Sequence, residues 1–178
     1  IETCYTRNRT PITDATAIRG LRHLRTGMPE MFDDPAAMER AVAGIVLVQY
    51  GIKRPGVQTL GPIHAFGHTL RNPLQQGIAH AVAAPHVVRA VLEADDSGLD
   101  TLAEGLDVAP DAASVVASIR TLRDELGLPS RLRDVDGPDR EEFGEIAEAT
   151  RNDSTLEGGP VGYDPTVEEI EETLERMW

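Results

Sequence analysis

Apolar residues recur at helical spacing along nearly the whole chain, and this pattern predicts an all-α fold. No segment alternates apolar and polar residues between hairpin turns, as a half-exposed β-strand would. The chain has 178 residues, 40% of them hydrophobic, which is enough for one core of ordinary size. We therefore expect one helical domain over residues 1–178, built as a bundle of about seven to eight helices.

Helix start and stop signals divide the chain into successive segments. Thr10-Pro11 and Asp34-Pro35 each place a capping side chain before a proline, which is a favourable helix start. Gly127 and Pro129 stop a later helix. The expected helices cover residues 11–26, 35–50, 61–70, 75–93, 99–106, 111–126, 139–151 and the segment from 165 onward.

Three features of these segments carry further structural expectations. The segment from Met38 to Tyr50 is apolar on most sides, which is typical of a buried central helix. Pro85 lies inside the fourth helix and should bend it near Ala81, because proline removes a backbone hydrogen bond. Turns are expected at 53–56, at 71–73 and, as a flexible segment, at 157–162.

The charge of the chain is strongly acidic and unevenly placed. Residues 1–92 carry ten basic and six acidic side chains, whereas residues 93–178 carry seven basic and twenty-four acidic ones. An acidic second half repels phosphate backbones, so we expect no nucleic-acid partner. The net charge of -13, with sixteen Arg and only Lys53 as lysine, favours a protein from a halophilic, salt-adapted organism. A genome that prefers Arg codons is the other explanation.

The cellular setting is predicted from what the sequence lacks. No unbroken apolar stretch approaches the ~18 residues that span a bilayer, so we expect no membrane partner. The chain opens at Ile1 without a basic leader or an apolar signal core, which favours a fragment of a longer protein. Cys4 is the single cysteine, so neither an internal disulfide nor a cysteine-based zinc site can form. A cytoplasmic location is expected.

Four of the five histidines fall within twenty-three residues, at positions 64, 68, 80 and 86. His64 and His68 are four residues apart, so both imidazoles project from the same face of one helix. That geometry suits two metal ligands, or one ligand beside an acid–base group. Gln76 and His80 have the same spacing on the next helix. Packing or surface histidines also show this spacing.

Glycines flank the histidine cluster at positions 61, 67 and 77. Glycine is unfavourable inside helices, so its presence indicates close approach of backbone or ligand.

The segments Ile63–Leu70, Gly77–Val82 and Pro85–Val87, with Pro73 between them, resemble the metal-binding signature of iron-containing alcohol dehydrogenases and of their maleylacetate reductase relatives. The resemblance covers nearly the whole chain and is most specific from His64 to Val87. It implies that His64 is a metal ligand and that His68 lies near the nicotinamide and the substrate.

The sequence departs from this family pattern at Gln76, where the family has its final histidine ligand. An amide oxygen is a poor substitute for imidazole, so binding of iron or zinc should be weak or absent. His80 occupies a position where maleylacetate reductase-like members also have histidine, and those members work without metal. Polarisation of the carbonyl would then fall to His68, His80 or basic side chains. The competing interpretation shifts the register and makes His80 a metal ligand.

The resemblance implies hydride transfer between NAD or NADP and a small alcohol, aldehyde or keto acid, with histidines lining the cleft. No Gly-x-Gly-x-x-Gly turn occurs in this chain, so its partner should be an N-terminal nucleotide-binding domain of the same enzyme. The upstream region should also hold an Asp and a His ligand, so this chain alone should be inactive. A homodimer is left open.

Two readings compete with the dehydrogenase interpretation. The first is a non-catalytic helical binding or assembly module, in which the histidines are packing residues and an apolar groove is exposed. The second is a histidine-rich metallohydrolase, which the absence of His-Glu-x-x-His disfavours.

Overall fold

The computed structural model describes residues 1–52, 56–71 and 74–178, which form eight α-helices and no β-strand within those ranges. The all-α prediction is therefore confirmed. Short 3-10 turns at Glu2–Cys4, Met28–Glu30, Leu132–Asp134, Arg140–Glu142 and Ser154–Gly158 connect or extend the helices. The helices are α1 (Pro11–Gly27), α2 (Pro35–Ile52), α3 (Pro62–Leu70), α4 (Gln76–Ala94), α5 (Leu99–Leu106), α6 (Ala112–Glu125), α7 (Phe143–Arg151) and α8 (Val167–Met177).

The predicted helix starts are correct where a side chain caps the first turn. Thr10 and Thr13 form a reciprocal capping box at α1, in which Thr13 N donates to Thr10 Oγ1 at 3.2 Å. The Asp34 carboxylate accepts from the backbone N–H groups of Ala36 and Ala37 at the start of α2. The helix expected over 139–151 begins instead as a 3-10 turn and becomes α-helical only at Phe143. The predicted turns at 53–56 and 71–73 fall mostly on residues 53–55 and 72–73, which lie outside the described residues.

The central helix of the fold is α4. Val82, Val87, Val88 and Val91 are completely buried along it, and α3, α6 and α8 pack around it. Pro85 lies inside α4 without dividing it into two helices. The core of the bundle therefore lies next to the helix that carries His80.

The prediction that α2 is the buried central helix is wrong. This helix packs mainly against α1, and Gly20 and Gly44 bring the two backbones into close contact. Its opposite face is open, with Val46 63% and Tyr50 64% exposed. The error arises because α2 is apolar on most sides, while in the described structure it packs mainly against α1 and the 3-10 turns Glu2–Cys4 and Met28–Glu30.

The segment 157–162, expected to be a flexible turn, is pinned to the start of the chain. Thr6 Oγ1 donates to Gly158 O at 2.8 Å, and Arg7 Nε donates to Gly159 O at 3.0 Å. Gly158 and Gly159 are buried, and a Cβ atom at Gly158 would overlap the carbonyl of Leu60. These bonds hold the 3-10 turn Ser154–Gly158 next to α3.

No helix in the described part of the chain is both long and apolar enough to cross a membrane.

Candidate functional site

Helices α3 and α4 bring three of the predicted site histidines together. The ring centroids of His64 and His80 lie 4.6 Å apart with an interplanar angle of 61°, and those of His64 and His68 lie 6.2 Å apart at 74°. The side chains of His64 and His68 are 27% and 29% exposed, so the cluster opens to solvent. His64 therefore sits between the other two imidazoles.

His80 lies against the backbone of α3, and Gly67 makes this possible. A Cβ atom at position 67 would come closer than 3.0 Å to both Cδ2 and Nε2 of His80, a separation that real side chains do not adopt. At Gly61, a Cβ atom would lie 3.3 Å from Glu2 Oε1. The close approach of backbone expected at Gly77 is not found in the described structure, where no atom lies within 4 Å of a Cβ built there.

Glu2 anchors His64 from the beginning of the chain. His64 Nδ1 is hydrogen-bonded to Glu2 Oε2, and the backbone N–H of His64 donates to Glu2 Oε1 at 3.2 Å. The Glu2 side chain is only 6% exposed. Burial alone would raise the pKa of Glu2, but the hydrogen bonds and charge of His64 outweigh it and lower that pKa. An ionised carboxylate only accepts, so it orients His64 with Nδ1 as the donor.

Asp153 anchors His68 in a similar way from the other end of the chain. His68 Nδ1 lies 3.0 Å from Asp153 Oδ2, while Asp153 Oδ1 accepts from Thr155 N at 2.8 Å and from Thr155 Oγ1 at 2.5 Å. Burial alone would raise the pKa of Asp153, but hydrogen bonds from Thr155 and His68 outweigh it and hold that pKa below its usual value.

His80 differs from the other two histidines because no carboxylate holds it. Its Nε2 atom is buried and has no hydrogen-bond partner among the described residues. Burial, reinforced by electrostatic interaction with His64 and His68 and opposed by Glu2, lowers the pKa of His80 to about 4. His80 is therefore a neutral imidazole near pH 7.

The described residues contain no group of three metal-binding side chains. The predicted ligand position Gln76 is exposed at the first residue of α4 and carries an amide. The Nε2 atom of His80 lies against Gly67. Within the described ranges, no three His, Cys, Asp or Glu side chains are grouped so as to hold a metal ion. The described residues therefore do not form a metal site by themselves.

His86, the fourth member of the sequence cluster, belongs to a different environment. It is half-buried on α4, and its pKa is lowered to about 4 by burial and by the charges of Arg120, Arg123, Arg89 and Arg176. It makes no ring contact with the other three histidines in the described structure.

The sequence did not point to Glu2 or Asp153 as site residues. They lie 62 and 85 positions from the histidines that they contact, so no short motif contains both partners. The only local signal was Asp153 before Ser154-Thr155, a sequence typical of a turn-capping aspartate.

Comparison with known proteins matches the sequence and the fold to one group of enzymes. The model of the Fe-containing alcohol dehydrogenase family, C-terminal, matches residues 1–178. Lactaldehyde reductase of Escherichia coli (strain K12) is 27% identical over 100% of this chain and 48% of that enzyme. This chain therefore spans about half the length of the curated relatives it matches.

Solved structures show the same fold. Maleylacetate reductase from Agrobacterium tumefaciens matches with a TM-score of 0.82 and 25% identity, over 99% of this chain and 48% of that one. An iron-containing alcohol dehydrogenase from Thermococcus thioreducens matches with a TM-score of 0.84 and 23% identity, over 98% of this chain and 46% of that one.

Proposed function

Because this chain belongs to the Fe-containing alcohol dehydrogenase family, matching its C-terminal part, we propose that it forms the helical half of a nicotinamide-dependent oxidoreductase. The proposed reaction is hydride transfer between NAD or NADP and a carbon atom of a small alcohol, aldehyde or keto acid. The observation that carries this proposal is the partly exposed group of His64, His68 and His80, in which two imidazoles are anchored by carboxylates.

His68 is the proposed proton-transfer group. Nicotinamide, when bound, supplies or accepts the hydride, so the substrate oxygen must gain or lose a proton in the same turnover. His68 is suited to this task because Asp153 engages its Nδ1 atom while the side chain stays 29% exposed. The other ring nitrogen can then exchange a proton with the substrate.

His80 is the proposed second catalytic histidine. Its pKa of about 4 keeps it uncharged at neutral pH, so it places no positive charge beside His64. A neutral imidazole still carries one N–H group, which can donate a hydrogen bond to a substrate oxygen.

We propose weak or absent metal binding, with His64 as the ligand that this chain retains. A metal-independent reaction of the maleylacetate reductase type is the second candidate. It is favoured by the exposed amide at Gln76, the position where the resemblance implies a histidine ligand. The proposed roles of His68 and His80 are the same in both versions.

The proposed partner of this chain is a nucleotide-binding domain in the upstream part of the same enzyme. Support comes from the relatives, which are about twice as long as this chain, and from the lack of a glycine-rich pyrophosphate turn in its sequence. A buried Cys4 as the single cysteine is compatible with the cytoplasmic location that we propose.

The test is nicotinamide-linked turnover of the full-length enzyme on a panel of alcohols, aldehydes and keto acids. We expect His68→Ala to lower turnover by roughly 100-fold or more, as loss of a proton-transfer group does. His23→Ala is the matched control, because His23 lies half-buried on α1 and should leave turnover unchanged. Full activity of His68→Ala would contradict the proposal. Absence of any turnover in the parent enzyme would favour the non-catalytic helical module.

A further inference from the structure

Asp153 reaches His68 from the turn that follows α7, and its carboxylate is shared between two kinds of donor. Oδ1 accepts from Thr155 N and Thr155 Oγ1, which leaves Oδ2 for His68 Nδ1 at 3.0 Å. We propose that Asp153 is a positioning residue that fixes His68 in the tautomer with hydrogen on Nδ1, so that Nε2 exchanges the proton with the substrate. This inference rests on the proposed role of His68.

The tautomer follows from the hydrogen-bonding capacity of the carboxylate. The pKa of Asp153 is held below its usual value, so the group is ionised near neutral pH and can only accept. The Nδ1 atom of His68 must therefore donate. In a neutral imidazole only one nitrogen carries hydrogen, so the lone pair of His68 lies on Nε2.

Neighbouring contacts hold this arrangement in place. The hydroxyl groups of Thr69 on α3 and Thr150 on α7 are hydrogen-bonded at 2.7 Å, one residue after His68 and three before Asp153. On the far side, Thr6 Oγ1 donates to Gly158 O and ties down the end of the 3-10 turn that Asp153 caps. The separation of His68 and Asp153 is therefore set by the packing of α3 against α7 and this turn.

The experiment compares full-length wild-type enzyme with Asp153→Asn. Enzyme labelled with ¹⁵N-histidine is studied by NMR at about pH 8.5, well above the ordinary histidine pKa of ~6.5. The His68 signals are assigned from their loss in His68→Gln. In the wild type we expect the hydrogen of His68 on Nδ1. In Asp153→Asn the new amide can donate to Nδ1, so we expect the hydrogen on Nε2. Turnover should fall by roughly 100-fold, comparable to the loss of His68 itself, because the wrong tautomer cannot exchange the proton with the substrate, and KM should stay within a few-fold.

Asp95→Asn is the matched control. Like Asp153, Asp95 accepts from a backbone N–H two residues later, Ser97 N at 2.9 Å, and it accepts a second backbone hydrogen bond from Gly162 N at 2.9 Å. No histidine is among the contacts of Asp95 in the described structure, so the variant should keep both the wild-type His68 tautomer and wild-type turnover. Asp153→Glu retains a carboxylate and should keep hydrogen on Nδ1, which provides a second measurement if Asp153→Asn does not fold.

The outcomes separate this inference from the proposed function. An unchanged His68 tautomer in Asp153→Asn, or hydrogen on Nε2 in the wild type or in Asp153→Glu, overturns the role of Asp153. Full turnover of His68→Gln instead overturns the proposed proton transfer, whichever tautomer His68 has in the wild type.

Discussion

Replacing Gly67 with alanine tests the contact that places His80 in the site. The added Cβ would lie closer than 3.0 Å to two atoms of the His80 ring and 3.4 Å from a third. The ring is the flexible partner, whereas Gly67 belongs to α3, whose Ala65 and Phe66 are fully buried. We therefore expect His80 to turn away from α3 and from His64.

The expected change in folding free energy is small because two effects oppose each other. Alanine is favoured over glycine inside a helix by about 0.5–1 kcal/mol. Overpacking a close contact costs about 1–3 kcal/mol. The net destabilisation of Gly67→Ala should be about 0–2.5 kcal/mol, which is below the 5–15 kcal/mol typical of folded domains. The protein should stay folded while the arrangement of the site changes.

Urea unfolding, the NMR signal of the His80 ring and turnover of the full-length enzyme together check this expectation. Turnover should fall by roughly tenfold or more, because misplacement of a catalytic group by about 1 Å costs up to ~100-fold. Gly77→Ala is the control, since no described atom lies near a Cβ at that helical position. If both variants show the same stability, the same His80 signal and full turnover, the packing argument is refuted.

Two further predictions concern the remaining histidine and the departure from the family signature. The pKa of His86 in the folded chain is about 4, below its ordinary value, so protonation favours the unfolded state and stability falls as the pH drops from ~6.5 toward 4. When the pH is lowered from about 7 to about 5, the free energy of unfolding of the wild type, measured with urea, should fall by roughly 1 kcal/mol more than that of His86→Gln. This figure allows for the partial exposure of His86. Gln76→His should raise the affinity of the full-length enzyme for zinc in calorimetric titration, whereas Gln75→His, at the exposed neighbouring position, should not. Equal affinities would remove position 76 from the ligand set.

The fold could be predicted well wherever local signals decide it. Leu99–Leu106 was predicted with its observed bounds, and the Thr10 cap marked the start of α1 correctly. The position of α2 within the bundle could not be predicted, because periodicity shows which sides of a helix are apolar but not which sides are covered.

The candidate site was predicted only in part for a related reason. The spacing of His64 and His68 places both on one face of α3, and the structure brings the predicted His80 next to them through its contact with Gly67. The carboxylates that orient the rings come from Glu2 and Asp153, near opposite ends of the chain. Such long-range pairs depend on how the helices pack, and a single sequence contains no local pattern that reveals them.

The anchoring of His64 by Glu2 bears on how this polypeptide should be shortened or fused to other proteins. Cys4 and Tyr5 are completely or almost completely buried, so the opening residues are part of the hydrophobic core as well as of the site. Deletion of residues 1–4 would leave α3 and α4 with all their imidazoles, yet His64 would lose the carboxylate that sets its orientation. A boundary drawn a few residues too late would therefore yield a polypeptide in which His64 no longer has the orientation that it has in the intact enzyme.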